Sequence, residues 1–181
     1  QDLQEGVYDP NILKAFFLAG GPGSGKSYVV KRGTGGLGLK IVNSDDTFEK
    51  YIKDAGLSMK MPKSEEEPRD KLRDRAKAVT KAKMGNYVEG RLGLIIDGTG
   101  KDYDKIAKQA TQLKQLGYDV HMIFVNTSLE TALKRNAKRD RTVPASIATK
   151  SWKTVQSNMG KFSQYFRQNF VVVDNNDSDE D

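Results

Sequence analysis

Five short runs of branched and aromatic side chains, at residues 12–19, 39–43, 92–97, 120–125 and 170–173, alternate with stretches whose apolar residues recur every three or four positions. The runs are too short to be helices and read as strands, and the stretches between them as amphipathic helices. In one of these, Ile106, Ala110, Leu113 and Leu116 share a face, and Gly117 follows as a C-terminal stop. Near the end of the chain Trp152, Val155, Met159, Phe162 and Phe166 repeat at spacings of three and four, which assigns the single Trp to a core-facing stripe rather than to a base-stacking platform. Strand–helix alternation predicts an α/β fold, a parallel sheet with crossover helices. His121 falls inside a strand and is expected to be packed or exposed there, not catalytic.

Two stretches break the alternation. Residues 33–38 are rich in glycine and read as a flexible connection. Residues 58–68 hold a Met-Lys-Met-Pro-Lys-Ser string and three successive glutamates, and lead into a long helix expected over about 69–89. The resulting excursion, 56–90, lies between the second and third strands. It is either one wall of an acceptor pocket or a decorative helix pair, since ligands of such sheets bind beyond the carboxyl ends of the strands.

With 181 residues and 36% hydrophobic content, the chain fits one domain, placed at 1–173. No apolar stretch approaches the roughly 18 residues of a membrane span, so no membrane partner is expected. The absence of cysteine excludes disulfides and thiolate metal sites and agrees with a cytoplasmic location. The chain opens Gln1-Asp2 with neither an initiator Met nor a signal-type segment, which leaves room for residues ahead of it. The net charge of +6 is uneven: residues 174–181 contain five acids and no base, so residues 1–173 carry +11. A basic body suits a phosphorylated ligand, and the acidic tail is expected to be solvated and disordered.

The chemistry begins directly after the first strand. Residues Gly20-Gly21-Pro22-Gly23-Ser24-Gly25-Lys26-Ser27 fit G-x-x-x-x-G-K-[ST] and open a helix that continues through Tyr28. Glycines let the backbone N–H groups fold around a phosphate chain, Lys26 adds a positive charge, and the Ser27 hydroxyl can ligate Mg²⁺. We therefore expect ATP to bind along residues 20–28.

After the second strand comes Asn43-Ser44-Asp45-Asp46-Thr47-Phe48. A carboxylate there can take the proton of an acceptor hydroxyl as it attacks phosphorus. The base is assigned to Asp45, with Asp46 as the alternative. Asp46 followed by Glu49 also reads as a helix N-cap with its capping-box partner. Asp97, closing the third strand, can hold Mg²⁺ or the acceptor, with Thr99 beside it and Asp46 as a further acceptor contact. Bases cluster at 134–141, ahead of Val143-Pro144. From this lid, about 134–144, Arg135 and Arg139 are expected to close over the triphosphate and neutralise charge on the transferring oxygens.

The phosphate loop, the Asn-Ser-Asp-Asp-Thr-Phe string, Ile95-Ile96-Asp97-Gly98-Thr99-Gly100-Lys101 and the lid together resemble the P-loop kinase group of zeta toxins and the phage polynucleotide 5′-kinase domain. The likeness covers about residues 12–173. It implies a three-layer P-loop NTPase sandwich with a five-stranded parallel sheet of order 2-3-1-4-5. It also implies ATP with Mg²⁺ as donor and transfer of the γ-phosphate to a hydroxyl, with Lys26 and Ser27 in the phosphate-loop roles. Aligning the strand end selects Asp45 as base, whereas aligning Asp-Thr-Phe as in zeta toxins selects Asp46. The segment from Asp97 is similar to the zeta toxin branch, which phosphorylates a UDP-linked amino sugar. Residues 133–139 with Val143-Pro144 are similar to the polynucleotide kinase branch, which acts on 5′-hydroxyl ends. Phe48 stands where that kinase has a nucleic-acid-binding arginine. The expected acceptor is a polynucleotide 5′-hydroxyl, ahead of a nucleotide sugar; the rival is a non-catalytic, phage-associated nucleotide-binding module. A phage origin would put the protein in the host cytoplasm.

Overall fold

The computed structural model describes residues 9, 11–139 and 141–176. Strands β1 (Lys14–Ala19), β2 (Lys40–Val42), β3 (Leu94–Asp97), β4 (Asp119–Asn126) and β5 (Phe170–Asp174) form one sheet of order β2-β3-β1-β4-β5. Every pairing is parallel. The order is the one the resemblance implies. Among the described residues, six α-helices complete the layers: α1 (Lys26–Thr34), α2 (Ser44–Asp54), α3 (Glu66–Glu89), α4 (Tyr103–Gln115), α5 (Leu129–Lys138) and α6 (Ala145–Phe166).

The two faces of the sheet follow the period of two in the strands. Ala15, Phe17 and Ala19 of β1, with Val120, Met122 and Phe124 of β4, pack against Ala110 and Leu113 of α4 and Val155, Phe162 and Phe166 of α6. Leu18, Ile95 and Ile123 point the other way, toward Val30 of α1. Each large side chain buried here contributes about 1.5–3 kcal/mol. A separate cluster of Phe48, Ile52 and Ala76 packs α3, the helix of the excursion, against α2 in a small core of its own. Among the described residues, no helix is long and apolar enough to cross a membrane.

Several boundaries differ from expectation for local reasons. Residues 12 and 92 meet as an isolated antiparallel bridge, so β1 and β3 begin two residues later than their apolar runs. Helix α3 starts at Glu66, ahead of Pro68. The missing proline N–H falls in the first turn, where no intrahelical acceptor exists. Leu116 lies past the end of α4 and is 61% exposed. Trp152 and Met159 are half-buried rather than central to the core. The indole nitrogen of Trp152 donates to the Thr127 carbonyl at 2.9 Å. His121 stacks on Phe16 and pairs with Asp119 at 2.8 Å, a packed strand residue as expected.

The tail is corrected at its near end. β5 continues through Asp174, and Asn175 is 5% exposed. The remainder, 177–181, lies outside the described residues.

Candidate active site

All five strands run the same way, so their carboxyl ends share one edge, where the chemistry-bearing segments collect. A cavity of about 960 Å³ opens there, lined by residues 22–27, by Asp45 and Asp46, by Asp97 and Thr99, and by Arg135 and Arg139.

The loop between β1 and α1 is shaped by its glycines. Gly23 and Gly25 have φ of 79° and 80°, and a Cβ on Gly23 would lie 2.1 Å from the Ala132 carbonyl oxygen of α5. Only glycine gives both the backbone angle and the approach. Gly25 precedes α1, whose first turn carries no acid, so the positive end of the helix dipole faces the cavity. Gly20 and Gly21 lie behind the mouth, against Val125 and Trp152. Tyr28 turns into a separate shallow groove with Arg32, Val173 and Asn175, and accepts a 2.7 Å hydrogen bond from Arg32.

Lys26 is half-buried and donates to the Gly20 carbonyl at 2.8 Å. Burial pushes its ammonium below the ordinary lysine range; Asp97 opposes this, Arg139 adds to it and Asp45 opposes it. One charge thus senses the strand end, the lid and the start of α2 at once. This set of groups fits a phosphate chain with Mg²⁺: N–H groups, a cation and a helix N-terminus converge on it. Ser27 and Asp97 are the residues that would hold the metal. Among the described residues no cluster of three or more His, Cys, Asp or Glu is poised for a cation, so phosphate and water oxygens would complete its shell.

The acidic wall differs from the expected capping box. The N-cap of α2 is Asn43, whose side-chain oxygen accepts from the Asp45 N–H at 2.8 Å. Its amide nitrogen donates to Asp97 at 3.1 Å. One asparagine therefore caps the helix and orients the carboxylate of β3, and Asp46 and Glu49 are left to the cavity. Burial raises the Asp97 carboxyl above the usual range, Lys26 opposes it, and Asp46 and Asp45 add to the rise. Burial, then Glu49 and Asp45, raise Asp46.

Arg135, Lys138 and Arg139 line the opposite wall, from α5 and its C-cap. The lid segment is closed by Asn136, which is buried, donates to the Val143 carbonyl at 2.7 Å and accepts from the Val143 N–H at 3.2 Å.

Several residues on this edge escaped the sequence reading. Arg141 pairs with Glu49 at 3.1 Å, stands 3.7 Å from Asp45 and lies 5.5 Å from the centre of the Phe48 ring, bridging the lid and α2. Its place in the basic run was the available signal. Arg73 of α3 packs over Phe48 at 4.8 Å and lines the cavity, the contribution of the excursion. Arg73 sits in a helix of interleaved charges and carried no signal. Nor did Asn158, which donates to the Gly100 and Lys101 carbonyls at 3.0 and 2.9 Å and so steadies the turn after Asp97.

The family model described as zeta toxin matches residues 7–180. No curated protein sequence gives a significant match. Among solved structures, the AvrRxo1-ORF1:-ORF2 complex with ATP is similar at a TM-score of 0.67 and 16% identity, over 89% of this chain and 54% of that one. The PezAT chromosomal toxin–antitoxin system of Streptococcus pneumoniae gives 0.67 and 18% over 89% and 68%. The Pnkp1/Rnl/Hen1 RNA repair complex gives 0.64 and 21% over 83% and 46%. At such identities the likeness is one of fold. The chain spans about half the length of the first of these structures.

Proposed function

Because the chain belongs to the zeta toxin family, we propose that it is an ATP-dependent phosphotransferase that moves the γ-phosphate to a hydroxyl acceptor. The observation that carries this reading is the convergence of the phosphate loop, two strand-end carboxylates and the lid arginines on one cavity. A module that only binds nucleotide has no use for that combination. The loop N–H groups and Lys26 hold the β- and γ-phosphates. Mg²⁺ at Ser27 and Asp97 would neutralise charge on the phosphate oxygens. Asp45 takes the proton of the acceptor hydroxyl, whose oxygen forms the new bond to the γ-phosphorus while the bond to the β–γ bridging oxygen breaks and ADP leaves. Arg135 and Arg139 offset the charge spread over the transferring oxygens.

The raised proton affinity of Asp46 supports it as the alternative base. Asp45→Asn should keep ATP affinity within a few-fold and lower turnover by about 10² or more. Asp46→Asn should leave α2 intact, since Asn43 caps it. The reverse outcome moves the base to Asp46.

For the acceptor we favour a hydroxyl at a polynucleotide 5′ end over a UDP-linked amino sugar. Support comes from Arg73, a cation beyond those facing the triphosphate, and from the basic body. The test is transfer from labelled ATP with Mg²⁺ to each acceptor, using the wild type and Lys26→Ala. Transfer to the oligonucleotide that Lys26→Ala abolishes is the expected result. Transfer to the sugar alone overturns the acceptor, and no transfer with intact ATP binding reduces the protein to a nucleotide-binding module.

A further inference from the structure

The segment that follows β5 reaches back to the phosphate loop. The Asn175 side-chain amide donates to the Ser24 carbonyl at 2.9 Å, a buried contact between residues 151 positions apart. The Asn175 backbone N–H donates to the carbonyl of Asn126, the last residue of β4, at 2.9 Å, which sets the depth of the side chain. The next residue, Asn176, accepts from the Ser128 N–H at 2.7 Å, and Ser128 is the N-cap of α5. Two consecutive asparagines thus hold the phosphate loop and the foot of the helix that carries Arg135.

Ser24 is 2% exposed and sits in the loop that lines the cavity. The peptide joining it to Gly25 is trans, as are all the peptide bonds described. In a trans peptide the C=O and N–H point in opposite directions. A donor that captures the Ser24 oxygen from behind the loop therefore aims the Gly25 N–H forward, at the place a phosphate oxygen would take.

We propose that Asn175 is a positioning residue for the donor nucleotide, acting through the Ser24–Gly25 peptide. The end of the last strand is then part of the nucleotide site rather than the start of a tail. This inference rests on the reading of the loop as an ATP site.

The test uses the full chain with Asn175→Ala, which removes the donor, and Asn175→Asp, which also sets a carboxylate oxygen against the Ser24 oxygen. ATP affinity is measured by calorimetry at a temperature where circular dichroism shows each variant folded, and steady-state turnover is measured alongside. Both variants are expected to weaken ATP binding about tenfold or more, with kcat at saturating ATP changed less than threefold. A role confined to stability would lower Tm and leave the affinity of the folded variant unmoved. If Asn175→Ala does not fold, Asn175→Ser, which keeps a small polar side chain in the same space, is measured against the same expectation. A folded variant lacking the amide but binding ATP within twofold of wild type overturns the proposal alone. A wild-type chain that takes no ATP at millimolar nucleotide and Mg²⁺ overturns both this proposal and the ATP reading.

Discussion

Asp97, which lines the cavity, works against the fold that holds it. It binds its proton more tightly folded than unfolded, because burial disfavours the carboxylate more than Lys26 and Arg139 favour it. Its contribution to stability is full below the ordinary carboxylate range and is lost as pH rises through the raised value. At pH 7 the ionised group therefore costs stability. Asp97→Asn is expected to raise Tm at pH 7 by a few degrees, since about 1 kcal/mol corresponds to ~2–4 °C in a chain of this size. The difference should vanish near about pH 3, where both states are protonated, and the same variant should lose transfer. Thermal unfolding at the two pH values checks it; an equal gain at both would remove ionisation as the cause.

At the scale of elements, the site depends on α5 lying directly against the phosphate loop. The Gly23 contact to the Ala132 carbonyl leaves no room for a methyl group, and its backbone angle disfavours any side chain. Gly23→Ala is expected to destabilise the protein by about 2 kcal/mol or more, from positive φ and overpacking together. It should weaken ATP binding as well, because the loop and the lid helix must part to admit the methyl. Chemical denaturation with and without ATP measures both effects. Unchanged stability would show that the two elements can separate freely. Asn136 and Arg141 serve the same assembly from the lid side, one folding the segment on itself and the other tying it to α2.

Across the whole molecule, the basic body and the cationic cavity bear on how an acceptor arrives. A polynucleotide would release condensed counterions on binding, so its KM should rise steeply with salt, whereas a nucleotide sugar should show a shallow dependence. Transfer to a 5′-hydroxyl oligonucleotide is expected to lose roughly tenfold or more in kcat/KM between low and moderate salt, with ATP affinity much less affected. A flat profile would place the oligonucleotide outside the basic surface. The same measurement on Arg73→Gln tests whether the excursion faces that ligand, since loss of one phosphate contact lowers the slope by about one.

What the sequence determined by itself is whatever short-range physics controls. Strand runs of period two, helical stripes such as Ala110 with Leu113, and a phosphate loop of fixed spacing are local patterns, and each element they indicate is present in the sheet order that the resemblance implied. That Asp45, Asp97, Arg135 and Arg139 would share one edge was legible, because Asp45 and Asp97 stand at or just past strand ends, Arg135 and Arg139 at the end of α5, and in a parallel sheet such ends converge; all four line the same cavity. The tertiary structure decided which of several equivalent local bonds were made. The sequence suggested Asp46 with Glu49 as the cap; in the fold Asn43 caps α2 while its amide also meets Asp97, across 54 positions of chain. Asn175 in an acidic tail and Arg73 in a helix of mixed charge look like solvated residues until the packing of distant segments sets them against the phosphate loop and the acidic wall. A buried carbonyl must find a donor wherever the fold supplies one, and sequence order does not record where that is.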